Sequence, residues 1–512
     1  MGFKSCLVII FFVWIHRATF SWGFDEVHLC GFTRYPKHCV ETISELGLEP
    51  KNSDVISILV EKLRNETMML IPDPSNPKYQ SASSNDEQGL APSTGYCVEL
   101  MNMSLRRLDQ SLLALKDSPS KSKEDIQTWL SAVMTFQSSC RDSLNGNMGD
   151  FQVRKMEYLS RLASNTLALV NRITDEPTNT TSSEGFPQWV TIKTRKLLRT
   201  TGIRANAIVA KDGSGHYRTV SDAIKAASGE RFVIYVKAGY YKEKIHTSKD
   251  GITLIGAGRY STIIGYGDNA NGGTDMPGSS TFTITGDGFI AQNIGFQNYA
   301  GAKGGQAVAM NIASDRAVFY RCSIAGYQDT LFALALRQFY RECDIYGTID
   351  FIFGNAAAVF QNSYIILRRP LPGQYNVIFA NSREDPGQNT GFSLQKCTIT
   401  AASDFSPYRY SVASYLGRPW RKYARSVIMQ SYIGDAIKPR GWIEWDNNFA
   451  LSTLYFGEYS NTGPRAPTSN RVRWPGHHVI GSSEASQFTV ARLIGGSAWL
   501  PSTGISFISG LS

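Results

Sequence analysis

The sequence is poor in the features that mark several common classes of protein. No apolar run reaches the roughly 20 residues that a membrane-spanning helix requires, and no lysine- and arginine-rich run marks a nucleic-acid-binding arm. The pair His477-His478 has no cysteine or carboxylate at metal-ligand spacing. Gly256-Ala257-Gly258-Arg259 lacks the third glycine of a dinucleotide site, and no Gly-x-Ser-x-Gly elbow is followed by a suitable His and Asp. We therefore expect no metal, no cofactor and no nucleic-acid partner.

The first residues have the pattern of a targeting segment. Lys4 precedes an apolar run over residues 6–15, and His16-Arg17 then breaks that run. A basic start followed by about ten apolar residues is typical of a secretory signal peptide. We expect residues 1–23 to be that signal and the remainder to be secreted. An uncleaved membrane anchor is the alternative interpretation.

Cysteine is scarce, and its distribution is uneven. With Cys6 in the predicted signal, four cysteines precede residue 198 and three follow it. Four are enough for two disulfides in an oxidising compartment, and three leave at least one free thiol. Glycosylation sequons at Asn65, Asn102 and Asn179 also precede residue 198. The seven cysteines are Cys30, Cys39, Cys97, Cys140, Cys322, Cys343 and Cys397.

Charge and periodicity divide the chain near residue 198. Residues 1–198 carry a net charge of −1 and residues 199–512 carry +10, so the second part favours an acidic partner such as an acidic polysaccharide. Helical apolar spacing predicts an antiparallel four-helix bundle within residues 24–175, followed by a linker over 176–198. The four predicted helical segments cover residues 53–63, 97–115, 123–140 and 151–170.

After residue 198 the sequence changes to short β runs with an internal repeat. The segment over residues 317–324 is echoed over residues 337–345 and again over residues 358–365, which places Cys322, Cys343 and Ser363 at offsets of 21 and 20 residues. A period near 20 without intervening helices predicts a parallel β-helix, in which each coil adds strands to stacked sheets. A β-sandwich with a chance echo is the alternative.

The same period connects two aspartates. Asp329 and Asp350 are 21 residues apart, so we expect them on neighbouring coils, with their strands roughly 4.8 Å apart. Two adjacent carboxylates titrate as a coupled pair, which leaves one charged group beside one protonated acid. The alternative is that both aspartates cap turns.

Three further residues are candidates for substrate contact. Gln306 lies 23 residues before Asp329, about one coil earlier, where its amide could stabilise an oxyanion. Arg418 can bind a carboxylate with both arms of its guanidinium, and Trp420 can stack on a sugar ring. A surface cation–π pair is the alternative for these last two residues.

Together these blocks resemble the plant pectin methylesterases that are made with an inhibitor-like pro-region. The resemblance implies a mainly β protein with a right-handed parallel β-helix over residues 199–512, preceded by an all-α four-helix bundle. It also implies a secreted, cell-wall aspartyl esterase that hydrolyses methyl esters of galacturonate in pectin (homogalacturonan), releases methanol and needs no metal. The matching blocks, in chain order, are Gly239-Tyr240-Tyr241-Lys242-Glu243, Gln306-Ala307-Val308, Tyr327-Gln328-Asp329-Thr330-Leu331, Asp350-Phe351-Ile352-Phe353-Gly354 and Leu416-Gly417-Arg418-Pro419-Trp420.

The resemblance also assigns roles to the site residues. Asp350 would be the nucleophile, and Asp329 would be the acid that protonates methanol and then the base that activates water. The amides of Gln306 and Gln328 would stabilise the oxyanion. Arg418 would orient Asp350 and contact the substrate, and Trp420 would line a sugar subsite.

For the N-terminal region the resemblance implies an intramolecular inhibitor. Thr33-Arg34-Tyr35-Pro36 resembles the start of a pectin methylesterase inhibitor domain, whose disulfides would be Cys30–Cys39 and Cys97–Cys140. Arg195-Lys196-Leu197-Leu198 resembles the site at which a processing protease removes such pro-regions.

Several positions depart from the family's pattern. Met276 replaces a usual substrate-contacting Thr, and Ser363 replaces the usual partner of Cys343. Phe332 and Leu334-Ala335 stand where Tyr and His-Ser are frequent. Two alternatives therefore remain: a β-helix lyase or polygalacturonase, and a catalytically impaired homologue that acts mainly through its inhibitor-like domain.

Overall fold

The computed structural model describes residues 29–48, 54–71, 92–144, 150–173 and 205–512. The predicted signal peptide, the linker over 176–198 and the predicted protease site lie outside these residues. Within the described ranges no helix is both long enough and apolar enough to cross a membrane.

The N-terminal part is helical, as the sequence predicts. The helix α4 begins at Lys123 with Glu124 and Asp125 in its first turn, where acidic side chains interact favourably with the helix dipole. The predicted segments correspond to α2 to α5, and α1 is an additional helix. The bounds are α1 Pro36–Glu45, α2 Val55–Met68, α3 Pro92–Asp117, α4 Lys123–Ser143 and α5 Asp150–Val170.

Four of these helices close into a ring. The helix α3 packs against α2 and α4, and α5 packs against α4 and α2, while α1 lies on α5. Cys30–Cys39 and Cys97–Cys140 form disulfides, which confirms the pairing implied by the resemblance. The helical bundle is confirmed, with one helix more than the periodicity predicts.

The C-terminal part consists of three parallel sheets that confirm the predicted β-helix. The first sheet contains β1 Ala207–Val209, β2 Phe232–Val236, β5 Ile252–Gly256, β8 Ile290–Gln292, β11 Ala317–Tyr320, β14 Arg337–Arg341, β17 Ala357–Gln361, β20 Gly391–Gln395, β23 Arg425–Met429, β25 Tyr455–Tyr459 and β26 His477–Val479. The second contains β3 Gly239–Lys242, β6 Thr262–Tyr266, β9 Gly295–Asn298, β12 Ser323–Ala325, β15 Asp344–Gly347, β18 Tyr364–Leu367, β21 Thr398–Ala401 and β24 Tyr432–Ile433. The third contains β4 Ile245–Thr247, β7 Phe282–Ile284, β10 Met310–Ile312, β13 Leu331–Ala333, β16 Ile352–Gly354, β19 Asn376–Asn381 and β22 Ser414–Pro419.

The chain visits the three sheets in turn, so each coil stacks on the previous one. Ala317 pairs with Gln338 and Arg337 with Ala357, which gives the offsets of 21 and 20 residues that the repeat predicts. Inside the coil, Tyr340 stacks between Phe319 and Phe360, with ring centroids 4.8 and 4.5 Å apart. Short helices follow β26: α7 Ser482–Ser486, α8 Val490–Leu493 and α9 Gly496–Trp499, and α6 Val220–Lys225 lies between β1 and β2.

The free thiols belong to this interior. Cys322, Cys343 and Cys397 are buried and unpaired, as expected where Ser363 replaces a possible partner. The Ser363 hydroxyl instead accepts a hydrogen bond from the Cys343 backbone N–H at 3.1 Å. Ser363 is therefore connected to Cys343 by a local hydrogen bond and not by a disulfide.

The helical bundle covers the outer face of the third sheet. Apolar side chains of that sheet share one continuous buried cluster with the interior of the bundle. Phe332 and Leu334, two of the departures noted in the sequence, lie in this cluster and are 2% exposed. Burial of apolar surface stabilises such an association by about 25 cal/mol per Å². The cluster includes Phe332, Phe353 and Ala380 of this sheet, and Val308 and Leu334 beside its strands.

Candidate active site

Asp329 and Asp350 occupy equivalent places on consecutive coils, at the corner between the second and third sheets. Each lies two residues before a strand of the third sheet, and the first residues of those strands, Leu331 and Ile352, are paired. Both aspartates have left-handed backbone conformations, with φ of 60° and 48°, which a non-glycine residue adopts uncommonly. The backbone ladder therefore brings the two carboxylates to the same corner.

The Asp329 carboxyl is buried, and the side chain that binds it directly is a neutral amide and not a cation. Its side chain belongs to a residue only 4% exposed, and its Oδ2 accepts a hydrogen bond of 2.7 Å from Gln306 Nε2. Burial raises the pKa of Asp329 well above its ordinary value, and the neighbouring charge of Asp350 raises it further. Gln306 and Arg418 oppose this shift without cancelling it.

The Asp350 carboxyl has a direct cationic partner. Arg418 donates from Nε to Oδ1 at 2.8 Å and from Nη2 to Oδ2, which is the two-armed geometry of a guanidinium–carboxylate pair. Burial raises the pKa of Asp350 as well, but the hydrogen bonds and charge of Arg418 restrain that rise. When one proton is shared by the pair it resides on Asp329, and the negative charge resides on Asp350.

Two aromatic residues that the sequence did not identify hold Arg418 in place. Its Nη1 donates to the Tyr375 hydroxyl at 3.0 Å, and its guanidinium lies 4.2 Å from the centre of the Trp445 ring. Tyr375 follows no repeat or motif in the sequence. Trp445 reaches Arg418 because the segment before it lies along β22, where the Leu416 N–H donates to the Gly441 carbonyl at 2.7 Å and the Ile443 N–H donates to the Gly417 carbonyl at 3.1 Å.

The glutamine pair lies on the coil ladder next to Asp329. Gln306 and Gln328 form an isolated parallel bridge, and the Ala307 N–H donates to the Gln328 carbonyl at 3.2 Å. Both glutamines are half-buried. The spacing of 23 residues between Gln306 and Asp329 therefore corresponds to a direct side-chain contact between neighbouring coils.

Trp420 lies farther along the same surface. Its ring centroid is 6.0 Å from Phe353 and 6.4 Å from Trp445, and Phe353 stacks on Phe332 at 4.4 Å. The ring–ring contacts of Trp420 are with this aromatic row, and the Arg421 guanidinium lies 5.8 Å from the centre of its ring. The row extends from the carboxylate pair as an apolar wall.

The helical bundle reaches this wall. Met276 and Trp420 pack against the apolar cluster that the bundle shares with the third sheet. Next to the cluster, Asn355 Nδ2 donates to Thr135 Oγ1 of α4 at 2.9 Å. The surface beside the carboxylate pair is thus partly covered by the bundle.

The described residues contain no group of three His, Cys, Asp or Glu side chains that could hold a metal ion. His477 Nε2 lies 3.1 Å from Glu458 Oε1, and Arg471 binds the same carboxylate from the other side at 2.8 Å. This histidine belongs to a buried ion-pair cluster.

Comparison with protein families gives two matches that follow the two parts of the chain. Residues 206–497 match the family described as Pectinesterase. Residues 27–169 match the family described as Plant invertase/pectin methylesterase inhibitor.

Individual relatives agree with these matches. "Probable pectinesterase/pectinesterase inhibitor 54" of Arabidopsis thaliana is 47% identical over 481 residues, which is 90% of this chain and 88% of the relative. "Pectinesterase 2" of Citrus sinensis is 46% identical over 421 residues, 81% of each chain. Among solved structures, "Pectin methylesterase from Carrot" is 48% identical with a TM-score of 0.60, and the match covers 61% of this chain and 100% of that one.

Proposed function

This chain belongs to the pectinesterase family, with an inhibitor-like domain before the esterase domain, and we propose how its residues perform and restrain the reaction. It is a carboxylic ester hydrolase that removes methyl esters from pectin. These matches favour neither a β-helix lyase or polygalacturonase nor a catalytically impaired homologue that acts mainly through its inhibitor-like domain. The proposed residue roles rest on one observation: the Arg418 guanidinium binds Asp350 directly, whereas Asp329 is bound by the neutral amide of Gln306.

In the first half-reaction Asp350 acts as the nucleophile. Its charged carboxylate, oriented by Arg418, attacks the carbonyl carbon of the galacturonate methyl ester. The oxyanion is stabilised by the amides of Gln306 and Gln328, since preorganised donors favour the charge that develops there. Asp329, which keeps its proton because its pKa is raised, protonates the departing methanol. The products are methanol and an anhydride between Asp350 and the sugar carboxyl.

In the second half-reaction Asp329 acts as the base. Now ionised, it takes a proton from water, and the resulting hydroxide attacks the sugar carbonyl of the anhydride. The carbon–oxygen bond to Asp350 breaks, which regenerates the Asp350 carboxylate and frees the sugar as its carboxylic acid. That acid then releases its proton to solvent and becomes galacturonate. Asp329 recovers its proton in the same step, so the cycle closes without a metal. Trp420 and the aromatic wall would support neighbouring sugars of the polymer.

The covalent intermediate can be sought directly. We expect Asp329→Asn to form the anhydride slowly and to hydrolyse it more slowly, because the base is missing. Mass spectrometry of that variant after mixing with methyl-esterified trigalacturonate should show an adduct on the peptide containing Asp350. The matched Asp350→Asn variant should show none. An adduct in both variants, or in neither under conditions where methanol is released, would contradict the assignment.

The helical bundle is proposed to restrain this esterase until it is removed. Its contacts with Met276, Trp420 and the third sheet occupy the surface on which a polymer would lie. A tethered domain acts at an effective concentration of about the millimolar range, so even a weak contact would be mostly occupied. Proteolysis at Arg195-Lys196-Leu197-Leu198, after secretion to the cell wall, would cut the tether and lower the effective concentration of the bundle at the esterase surface.

Three forms of the chain test this restraint. Methanol release from methyl-esterified pectin should be low for the uncut chain and for a chain with Arg195 and Lys196 both changed to Ala. It should rise when the uncut chain is cleaved after Leu198, and the changed chain should resist that cleavage. Equal specific activity in all three forms would leave the bundle with a folding role only.

A further inference from the structure

The outer face of the third sheet carries a row of side chains that crosses the coils from β4 to β22. Backbone pairing holds the members of this outer row in register, with one residue from each of the seven strands. Six strand spacings of about 4.8 Å make the outer row roughly 29 Å long, and it runs parallel to the axis of the β-helix. In order it contains His246, Thr283, Asn311, Phe332, Phe353 and, two strands further, Arg418.

The carboxylate pair lies beside the middle of the outer row. Asp329 and Asp350 come just before β13 and β16, and Arg418 at one end of the row binds Asp350. In the other direction the row continues for three strands beyond β13, roughly 14 Å, and ends at His246. A polymer that lies along the row from the carboxylate pair therefore reaches His246 several sugars away from the ester that reacts.

His246 brings a titratable cation to this end of the row. Its neighbours on β4, Ile245 and Thr247, are buried, whereas the His246 side chain is 53% exposed even with the bundle in place. Its ring therefore points away from the interior of the β-helix and toward the surface that the bundle covers. A protonated imidazole in such a position can bind an oxyanion through a charged N–H donor.

The bundle supplies a carboxylate to this histidine. Glu99 Oε1 of α3 lies 2.7 Å from His246 Nε2. That hydrogen bond raises the pKa of His246 above its ordinary value, the charge of Glu99 raises it further, and burial opposes both effects. No other charge within the described ranges contributes to this shift. One turn earlier on α3, Tyr96 lies beside Asn311 of the same row, so α3 covers this end of the row at two positions.

From this arrangement we propose that His246 is a subsite for the free carboxylate of a de-esterified galacturonate, which takes the place of Glu99 when the bundle leaves. The proposal rests on the proposed removal of the bundle by proteolysis. A methyl ester is uncharged, so the subsite distinguishes a free carboxylate from an esterified one. A carboxyl group is ionised above about pH 4 and an ordinary histidine is protonated below about pH 6.5, so the ion pair forms at mildly acidic pH.

Calorimetric titration with hexagalacturonate that carries no methyl esters tests the subsite without a catalytic step. The protein is the chain cut after Leu198. Glu99→Gln is the matched control, because it removes the same contact with the bundle but keeps His246. At pH 5.5, His246→Gln should bind the hexasaccharide about two- to fivefold more weakly than Glu99→Gln, the range for a partly exposed ion pair. At pH 8 the two variants should bind it equally, because His246 is then neutral.

Methanol release connects the subsite with the reaction. The two substrates are fully methyl-esterified pectin and the same pectin after random removal of part of its esters with alkali. For each variant, the ratio of kcat/KM on the second substrate to kcat/KM on the first cancels differences in how much bundle remains bound. At pH 5.5 this ratio should be about two- to fivefold lower for His246→Gln than for Glu99→Gln. At pH 8 the two ratios should agree.

Several results would overturn the subsite. These are equal binding of the hexasaccharide by His246→Gln and Glu99→Gln at pH 5.5, a difference of the same size at pH 8, and no binding by the original cut chain. Failure of the proposed release by proteolysis gives a different result. In that case the cut chain would release no more methanol from fully esterified pectin than the uncut chain, and the calorimetric comparison would still decide the role of His246.

Discussion

The third sheet meets the second sheet at one corner of each coil and the first sheet at the other, and buried aspartates lie at both corners. The pKa of the buried carboxyl is shifted in opposite directions at the two corners. At the corner shared with the second sheet, Asp329 and Asp350 have a single guanidinium between them. At the corner shared with the first sheet, Asp315 receives Arg337 through Nε at 2.9 Å and Nη2 at 2.6 Å. Nearby, Asp287 receives both arms of Arg107 from the helical bundle, at 2.7 Å each.

Burial alone does not explain the difference. Burial pushes the pKa of both Asp329 and Asp315 upward, and these residues are 4% and 5% exposed. For Asp315 the charge and hydrogen bonds of Arg337 outweigh burial and hold its pKa below the ordinary range. Asp329 has an amide partner and a neighbouring carboxylate instead. The number of nearby cations decides whether the pKa of the buried aspartate rises, as for Asp329, or falls, as for Asp315.

The largest expected effect comes from removing charge at the first corner. Asp350→Asn should abolish methanol release from methyl-esterified pectin, with a loss of several orders of magnitude, because an amide cannot replace a carboxylate nucleophile. The measurement is made on protein that has been cut after Leu198, and circular dichroism checks that the fold is unchanged. A well-folded variant with more than about a tenth of the original rate would show that Asp350 is not the nucleophile.

Changing the shape of the cation, but not its charge, should have the next largest effect. Arg418→Lys keeps a positive charge but loses the planar fork that contacts Asp350 and Tyr375. We expect kcat to fall by about 10²-fold, the lower end for a lost oriented donor. The pH at which activity falls on the acid side should also rise, because Asp350 is less well stabilised as an anion. A near-normal kcat with an unchanged pH profile would mean that a positive charge at residue 418 is sufficient and that the planar fork is not required.

At the second corner the expected effect is on stability. Asp315→Asn leaves the buried Arg337 with Asp125 as its remaining carboxylate partner. We expect the uncut chain to lose about 3 kcal/mol of unfolding free energy, the lower end for breaking a buried ion pair. Denaturant unfolding at pH 7 measures this loss, and the exposed Asp404→Asn is the matched control. A loss of unfolding free energy for Asp315→Asn no larger than that for the control would show that the Asp315–Arg337 ion pair does not stabilise the fold.

The smallest expected effect is on the pH dependence of stability, which should differ between the two corners. Asp329 has a raised pKa when folded, so its contribution to stability is present at low pH and is lost as pH rises through the folded value. Asp315 has a lowered pKa, so its contribution is present at neutral pH and is lost on acidification. Asp329→Asn should therefore gain stability relative to the original chain as pH rises from 4 to 8. For Asp315→Asn the loss of stability relative to the original chain should instead be nearly constant across this range and should shrink as pH falls below about 4, the ordinary carboxyl pKa. Parallel trends in thermal unfolding would contradict the opposite assignments.

Periodic features of the molecule were predictable from sequence. The 20- and 21-residue echoes predicted the coil, because stacked strands repeat their apolar pattern at the coil length. The same spacing predicted that Asp329 and Asp350 would meet. Four of the five helices followed from apolar spacing, whereas α1 contains ten residues and begins at a proline, too short to establish a clear period.

Contacts that depend on distant segments were not predictable. Tyr375 and Trp445 reach Arg418 from 43 residues before it and 27 residues after it, with no shared repeat. The contact between Asp125 and Arg337 joins the two domains across 212 residues. Such pairs are set by how a helical bundle docks on a sheet, and a single sequence contains no periodic signal for that docking.

The coil ladder also determines which changes in chain length this enzyme could tolerate. The backbone pairing between Leu331 and Ile352 brings Asp329 and Asp350 to equivalent places on neighbouring coils. One residue inserted between either aspartate and the strand that follows it would shift that aspartate relative to the paired residues Leu331 and Ile352 and separate the two carboxylates. Extra residues at other corners would only enlarge a loop: the offset from Ile352 to Phe379 is already 27 residues, against 21 from Leu331 to Ile352. Outside the two catalytic coils, insertions and even whole added turns could lengthen the rod while the reacting groups kept their spacing.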